Sequence, residues 1–251
     1  SKLFSSYIAL ITDDDINIEL LSDESIQLTT TSGKLKIKGF EASEFPLIPA
    51  IKEEISLTLS GRVVRKSIEK TLFSSAEGNI RPTLAWISVR IEENNATFAS
   101  TDSFRLSEYK AELESNVEHT FYGIIPNKTT SQIRSILSDN DIVKIVSGES
   151  QIAFISGNTK IYSRLLNGKF PDYKTFFPTS YSTKAEINRI DLMWALKKIN
   201  LISRENNYSI KMSISWETGI LLETSETQIW EGNVKLVGAV DLTKEVLDDW
   251  Y

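Results

Sequence analysis

The sequence predicts an α+β fold of repeated units, each a helix followed by a small antiparallel sheet, with the units paired into domains. Two observations predict this fold. Segments with apolar residues at helical spacing alternate with segments rich in β-forming residues along the chain. The same order of elements, with similar turns, also recurs at several places. A helix and a small sheet each bury a single face, so such units must pair to close a hydrophobic core.

The first pair of repeats spans Lys2 to Pro46 and Lys128 to Pro171. Each repeat reads as a helix, an acidic turn, three strands and a final Phe-Pro. The acidic turns are Asp13-Asp14-Asp15 and Asp139-Asn140-Asp141, and an isoleucine follows each of them. A run of carboxylates would suit a hard cation. Because the run recurs at the same place after a helix, a turn is the better interpretation, and we predict no metal site.

A second pair of repeats begins with helices predicted over 61–73 and 191–204. Three strands are predicted after each helix. They cover 84–91, 96–101 and 104–110 in the first repeat, and 209–215, 219–224 and 229–238 in the second. A fifth helix is predicted to begin at Asp241, and the sequence ends before any strands follow it.

The repeats predict how the chain divides into domains. The chain has no initiator Met and carries a helix without its strands at the end, so we expect it to be part of a longer protein. Two units per domain give a complete middle domain over 55–180. The second half of a preceding domain is then predicted over 1–54, and a partial third domain over 181–251. The polar stretch Pro171 to Thr183 is the best candidate for a linker.

Charge is distributed unevenly between the helices and the rest of the chain. The net charge is −6. The four predicted helices carry ten basic and two acidic residues, a net charge of +8, so the remainder carries −14. Basic helices that line one surface would follow nucleic-acid phosphates without reading sequence. The alternative is that Lys and Arg, which favour helices, simply solubilise exposed faces.

Composition excludes several classes of function. The chain has no cysteine, which rules out disulfides and thiolate metal sites. It has no Gly-rich nucleotide-binding loop and no nucleophile elbow, so we predict a protein that is not an enzyme and needs no cofactor. No apolar run reaches the roughly 18 residues of a membrane helix, and no signal peptide is recognisable. We therefore expect a cytoplasmic protein.

Four short motifs together resemble one protein family, the bacterial β sliding clamp, which is the processivity subunit of DNA polymerase III. They are Arg81 to Leu84, Ser100 to Leu106, Ile124 to Lys128 and Arg164 to Tyr173. Their order and spacing fit along the whole chain. The resemblance implies a DNA-clamp fold in which two subunits close a ring, with helices lining the interior and sheets outside. It implies that the ring encircles duplex DNA and slides on it.

The resemblance also implies partners and a peptide-binding cleft. The partners are double-stranded DNA, a second copy of the chain, the DNA polymerase III α subunit, the clamp loader, and other polymerases and repair proteins that dock through linear peptides. The matching cleft positions are Leu84, Thr101, Ser103, Phe104, Arg105, Leu106, Pro171, Thr175 and Phe176. Without the resemblance, the residues favour a simple turn at Thr101 to Ser103, with Phe104 and Leu106 in the core.

DNA-facing and dimer-interface positions follow in the same way. The resemblance places Lys128, and less specifically Arg81, near DNA, while helix charge alone suggests Lys2, Lys66 and Lys197. The implied dimer interface joins the strand Lys34, Leu35, Lys36, Ile37 and Lys38 to the apolar pair Leu201 and Ile202. An alternative function remains open: a scaffold with the clamp fold that binds proteins and does not encircle DNA.

Overall fold

The computed structural model describes the chain except for a set of short segments. These are residues 1, 13–14, 46, 48–50, 77–83, 167, 182, 205–206, 216–218, 225–231, 237–238 and 243–251. The chain divides into two compact units, Ser1–Phe170 and Pro171–Tyr251, and each unit is described by itself.

The first unit contains three helices and eleven strands among its described residues. The helices are α1 (Lys2–Ile8), α2 (Gly61–Thr71) and α3 (Asn127–Ile136). Strands β1 (Asn17–Leu20), β2 (Ile26–Thr29) and β3 (Lys34–Ile37) follow α1, and β4 (Ile55–Ser60) precedes α2. Then come β5 (Trp86–Glu92), β6 (Asn95–Thr101), β7 (Leu106–Glu112), β8 (Phe121–Pro126), β9 (Ile142–Ser147), β10 (Gln151–Ser156) and β11 (Thr159–Arg164). Short 3-10 helices occur at Ala42–Glu44 and Leu72–Ser74.

The two repeats of the middle region exchange a strand. Strands β5, β6 and β7 form an antiparallel meander after α2, and β9, β10 and β11 form one after α3. Each meander gains its fourth strand from the other repeat. Strand β8, which leads into α3, pairs with β5, while β4, which leads into α2, pairs with β9. Both sheets therefore have four strands, in the orders β7-β6-β5-β8 and β11-β10-β9-β4.

One hydrophobic core joins α2, α3 and both sheets. Ser60 is the N-cap of α2, because its side chain accepts a hydrogen bond from the Val63 backbone N–H at 3.3 Å. Val64 and Ile68 on its inner face are almost completely buried. Ile133 of α3 lies in the same core, together with strand residues from both sheets. These buried side chains and the exchanged strands hold the two repeats together as one body.

The region before β4 is less enclosed. Strands β1, β2 and β3 form a three-stranded antiparallel sheet, in which Leu28 is fully buried. Helix α1 has no buried residue, and Leu3 is 61% exposed. Within the described residues, β3 is one of the two edge strands of this sheet, and the strand predicted over Lys34 to Lys38 ends at Ile37.

The second unit repeats the helix-and-sheet plan. Its elements are β12 (Thr183–Glu186), α4 (Arg189–Ser203), β13 (Lys211–Ser215), β14 (Gly219–Thr224), β15 (Gly232–Leu236) and β16 (Ala239–Leu242), with a 3-10 helix at Tyr173–Phe176. Ala195 and Ile199 of α4 are buried against Ile220 and Leu222 of β14. Strands β13, β14 and β15 form one sheet, and β12 pairs with β16.

The predicted α+β organisation is confirmed, with two corrections. Three strands per repeat were expected, and the strand that precedes each helix was missed, although Ile55, Leu57 and Leu59 alternate in β4. The fifth helix predicted from Asp241 is wrong at its start: β16 extends to Leu242, and Asp241 is paired with Lys184. Pairing with β12 outweighs a weak local helix preference. The rest of that predicted helix lies outside the described residues.

None of the helices in the described part of the chain is both long enough and apolar enough to cross a membrane.

Candidate functional site

The connection between β6 and β7 is a tight loop held by its own hydrogen bonds. The Asp102 carboxylate accepts the backbone N–H groups of Phe104 and Arg105, each at 2.9 Å. The Arg105 guanidinium Nε also donates to it, at 3.0 Å. The Thr101 hydroxyl donates to the Arg105 carbonyl oxygen at 2.8 Å and accepts the Ser103 N–H at 3.1 Å. The loop is a preorganised structure, as in other turns closed by an Asx side chain.

The charge of Asp102 is favoured by these contacts. Partial desolvation raises its pKa, but the backbone N–H groups of Arg105 and Phe104 and the Arg105 guanidinium lower it, and the net pKa lies below the ordinary value for aspartate. Asp102 was not among the predicted cleft residues. The sequence signal for this role is an aspartate at the start of a short loop, where its carboxylate can accept the backbone N–H groups of the residues that follow.

The loop presents a phenylalanine to solvent. Phe104 is 94% exposed, so the alternative in which it belongs to the core is wrong. The turn predicted at Thr101 to Ser103 is confirmed, and the strand predicted from 104 begins instead at Leu106. Ser103 has a φ of +80°, a left-handed conformation that favours glycine. The loop therefore holds a strained residue and an exposed aromatic ring side by side, a combination found at binding sites.

Two serine hydroxyl groups, one of them buried, anchor the strands on either side of the loop to the end of α2. Ser100 donates to the Thr71 carbonyl oxygen, and Ser107 donates to the Lys70 carbonyl oxygen. Leu84 is buried, and Leu106 is half-buried. Of the cleft residues predicted in the first unit, Thr101 to Leu106 lie on the end of β6, the start of β7 and the connection between them, and Leu84 lies just before β5. The apolar groups supply potential contact area, and the anchored backbone keeps their positions fixed.

The other predicted cleft residues lie in the second unit. Pro171 and Thr175 are exposed, and Phe176 is 68% exposed. The Thr175 hydroxyl donates to the Asp172 carbonyl oxygen at 2.8 Å within the 3-10 helix. These residues belong to a different unit from the loop at Thr101 to Leu106, and a cleft formed by both sets stays a prediction.

The predicted DNA-facing lysines are exposed on helices. Lys2 lies on α1 and Lys128 in the first turn of α3. The Lys66 ammonium group of α2 lies 5.9 Å from the centre of the Tyr109 ring, and the Lys197 ammonium group of α4 lies 4.9 Å from that of Trp194. Such cation–π contacts orient a lysine without neutralising its charge. Arg81 lies outside the described residues.

Two further basic residues of α2 are partly neutralised. Arg65 forms an ion pair with Asp139, and the Nε of Arg62 lies 4.0 Å from the same carboxylate. The neighbouring Asp141 accepts the Ser138 N–H at 2.8 Å. That bond, with the Ser138 hydroxyl and Arg65, keeps the pKa of Asp141 below its ordinary value. The acidic turn after α3 therefore holds α2 and α3 together through its ion pair with Arg65. No cluster of metal-ligating side chains occurs among the described residues.

The predicted dimer-interface residues are accessible in their own units. In β3, the Lys36 ammonium group lies 2.8 Å from the Asp23 carboxylate. That contact and the Ser25 hydroxyl lower the pKa of Asp23 to about 2. In α4, Leu201 is 73% exposed and Ile202 is half-buried. An apolar side chain exposed to this degree at the end of a helix is available for a partner.

Comparisons with known proteins find similar sequences along most of the chain. Residues 58–172 match the model of the DNA polymerase III beta subunit, central domain. The chain is 33% identical over 222 residues to a beta sliding clamp of Staphylococcus epidermidis, covering 87% of this chain and 58% of the relative. A beta sliding clamp of Staphylococcus aureus is 31% identical over 223 residues, with the same coverage.

Over 87% of its length the chain is similar to beta sliding clamps. It spans 58% of the length of these curated relatives. The fold of the clamp family is also seen in solved structures. The DNA polymerase sliding clamp from Bacillus subtilis matches with a TM-score of 0.82 and 24% identity, over 98% of this chain and 65% of that one. A beta chain from Streptococcus pneumoniae matches with a TM-score of 0.82 and 24% identity, over 96% of this chain and 64% of that one.

Replacing Asp102 with alanine tests the loop of this clamp homologue. The folded carboxyl has a lowered pKa, so its contribution to stability is complete above the unfolded pKa of about 3.9 and is lost as the pH falls through the folded value. We expect Asp102→Ala to lower the free energy of unfolding of the first unit by about 1–2 kcal/mol at pH 7. Urea denaturation at pH 7 and pH 3, with amide exchange to assign the transition, measures this difference.

The exposed turn residue Glu149 supplies the control, because Glu149→Ala removes a carboxylate of the same unit away from the loop. We expect that substitution to change the free energy of unfolding by less than about 0.5 kcal/mol. A deficit in Asp102→Ala that is as large at pH 3 as at pH 7 would contradict the role assigned to the ionised carboxylate.

Proposed function

We propose that the chain acts as part of a DNA sliding clamp, a processivity factor that encircles duplex DNA and tethers a replicative polymerase, and that it catalyses no reaction itself. The observation that carries the proposal is the similarity to beta sliding clamps over 87% of the chain, which reaches into both units. The exposed lysines on the helices and the preorganised loop at Thr101 to Leu106 support it. In this proposal, 1–54, 55–180 and 181–251 belong to three successive clamp domains.

The proposed peptide-binding cleft uses the β6–β7 loop as one wall. Phe104 and Leu106 offer apolar area, and the Arg105 guanidinium is 57% exposed and still has donors free of Asp102. The proposed cleft also includes Pro171, Thr175 and Phe176 of the second unit. A short peptide with apolar anchors gains most of its affinity from such contacts, provided that the receiving backbone is already ordered. DNA polymerase III α, a clamp loader and repair proteins are the proposed bearers of such peptides.

The proposed DNA surface is made of Lys2, Lys66, Lys128 and Lys197, together with Arg81. A sliding protein must hold phosphates weakly and read no bases, because tight or sequence-specific contacts would stop its movement. Isolated lysines on several helices meet that requirement: each ammonium group is a point charge on a long, flexible stem. Retention on DNA would then come from closing a ring and not from affinity.

Ring closure is proposed to join β3 of one copy to the region of Leu201 and Ile202 of another. Strand β3 offers an unpaired edge to a partner strand within the described residues, while Leu201 offers apolar area. The two surfaces differ from each other, as a head-to-tail contact that closes a ring requires.

A peptide titration tests the cleft. The probe is a fluorescent peptide with a glutamine, two variable residues, a leucine and a phenylalanine. We expect the chain to bind it with a dissociation constant in the micromolar range. Leu106→Asp should weaken binding at least tenfold, because it places a charge in the apolar wall. Phe104→Ala should weaken binding about fivefold, and its side chain is too exposed to affect folding.

Phe40 provides the matched control, since it is 85% exposed in the same unit. Phe40→Ala should bind the peptide like the unchanged chain. Equal affinity of Phe104→Ala, Leu106→Asp and the unchanged chain would exclude the β6–β7 loop as the peptide site.

DNA binding at low salt tests the lysine surface and separates the clamp from the non-encircling scaffold. The probe is a labelled duplex of about 40 base pairs, titrated at 20–100 mM salt by fluorescence anisotropy. Each lysine that contacts a phosphate contributes about 0.9 to the slope of log affinity against log salt. We expect the triple variant Lys66→Ala, Lys128→Ala and Lys197→Ala to lose two to three units of slope.

Lys160→Ala serves as control, because Lys160 is an exposed lysine on β11 and not on a helix. We expect it to leave the slope unchanged. A triple variant that binds the duplex as before, while the peptide still binds, would favour the scaffold over the clamp.

A further inference from the structure

Each of the exchanged strands, β4 and β8, has one edge paired within its sheet and one outer edge. The outer edge faces the end of the other sheet, and the boundary between the two is called a seam here. The middle region therefore has two equivalent seams, one at β4 and one at β8. Strand β8 precedes α3 and β4 precedes α2, so Tyr122 and Ile124 correspond in position to Ser56 and Thr58. The chain leaving β11 passes the outer edge of β8, and the chain leaving β7 runs on the corresponding side of β4 without a backbone hydrogen bond to it among the described residues.

The seam at β8 is closed by the chain itself. After β11, the Leu166 N–H donates to the Ile124 carbonyl oxygen at 3.0 Å. The Phe170 N–H donates to the Tyr122 hydroxyl at 3.1 Å. A Cβ built on Gly123 would lie 3.0 Å from the Leu165 side chain, so the two segments are in close contact. The segment after β11 therefore covers the outer edge of β8.

The seam at β4 is open. The segment after β7 turns back onto its own sheet: the Leu113 N–H donates to the Asn94 carbonyl oxygen and the Val117 N–H to the Glu93 carbonyl oxygen, each at 2.7 Å. A groove of about 600 Å³ lies between this segment and β4. Its lining includes all of Ser56–Ser60 and, opposite, Glu112–Glu118.

The backbone of β4 offers hydrogen-bonding groups to this groove. The Gly61 N–H donates to the Asp141 carbonyl oxygen at 2.7 Å, and Leu59 is aligned with Val143 in the same register. Strand residues alternate in the direction of their N–H and C=O groups. Leu59 therefore bonds to β9, whereas Thr58 and Ser56 direct their backbone groups into the groove. Within the described residues, β4 is the terminal strand of its sheet.

The side chains of the groove determine what it would accept. Arg62 is the one basic residue in the lining, against the carboxylates of Glu112, Glu114 and Glu118. Apolar area is supplied by neighbouring residues that include Val117 and Ile142. An open strand edge binds an extended chain by main-chain hydrogen bonds, and alternate side chains of that chain meet the walls.

We infer that this groove binds an extended, basic segment of a partner protein as an added strand on β4. The added strand takes the place on β4 that the segment with Leu166 and Phe170 takes on β8. The site lies outside the proposed peptide cleft, because none of Thr101 to Leu106 lines the groove. The inference stands on the middle region alone and does not require that the chain encircle DNA.

A synthetic peptide tests the site. The probe is a fluorescein-labelled nine-residue peptide of alternating lysine and valine, titrated against the full chain by fluorescence anisotropy. We expect saturable binding at micromolar to submillimolar concentrations. Thr58→Pro should weaken it at least tenfold, since it removes an outward N–H and no bond to β9. The double variant Glu114→Lys and Glu118→Lys should weaken it at least fivefold.

Matched controls separate strand addition from general attraction of a basic peptide to an acidic chain. The double variant Glu19→Lys and Glu149→Lys changes the net charge equally at exposed sites outside the groove, and it should bind like the unchanged chain. A peptide with glutamate in place of lysine should not bind. The circular dichroism spectrum of Thr58→Pro should match that of the unchanged chain, which shows that β4 is still in place.

Three outcomes would overturn the inference. The first is an absence of saturable binding up to 1 mM peptide. The second is equal affinity of the unchanged chain and both groove variants. The third is concentration-dependent self-association in sedimentation that Thr58→Pro abolishes, because the occupant of β4 would then be a second copy of the chain.

Discussion

The exchange of β4 and β8 between the two repeats is the constraint on which the middle region depends. Each repeat runs from a strand in one sheet, through a helix, to a meander in the other sheet. The helices α2 and α3 therefore cannot separate without breaking backbone ladders in both sheets. Their shared core, which includes Val64, Ile68 and Ile133, is closed by the same arrangement. A single repeat can bury only one face of its helix and sheet, so it becomes stable only when it pairs with the other repeat.

The surfaces proposed to bind peptides and DNA depend on this shared core. Because α2 is fixed, the carbonyl groups of Thr71 and Lys70 are fixed acceptors for Ser100 and Ser107, and the β6–β7 loop cannot move freely. The loop can then hold Phe104 in solvent and Ser103 in a left-handed conformation. Strain of this kind persists where the surrounding structure determines it. The exposed lysines likewise lie on helices whose buried faces are set by the core, so their spacing is part of the fold.

Much of the fold could be predicted from the sequence, because apolar periodicity and recurring turns are local signals. Helix α2 and the hairpin of β5 and β6 follow from them directly. Strands β4 and β8 were missed as members of the sheets because each of them pairs with strands of the other repeat. No local pattern in the sequence reveals that pairing. The same limit applies to Asp241, which pairs with Lys184, a residue far away in sequence. For the loop, the family motif predicts Phe104 as a site residue despite its apolar character. Asp102 was not predicted, although a carboxylate at the start of a short loop is a local signal, and its hydrogen bonds show its role.

The most direct test of the account is native-state amide hydrogen exchange of the full chain in increasing denaturant, followed by mass spectrometry. If the exchanged strands couple the two sheets, the central amides of β4, β5, β8 and β9 open with one common free energy and one denaturant dependence. The account predicts that these four strands merge into a single opening event well below the denaturation midpoint. An event that exposes β4 and β9 at clearly lower free energy, while β5 and β8 remain protected, would contradict it.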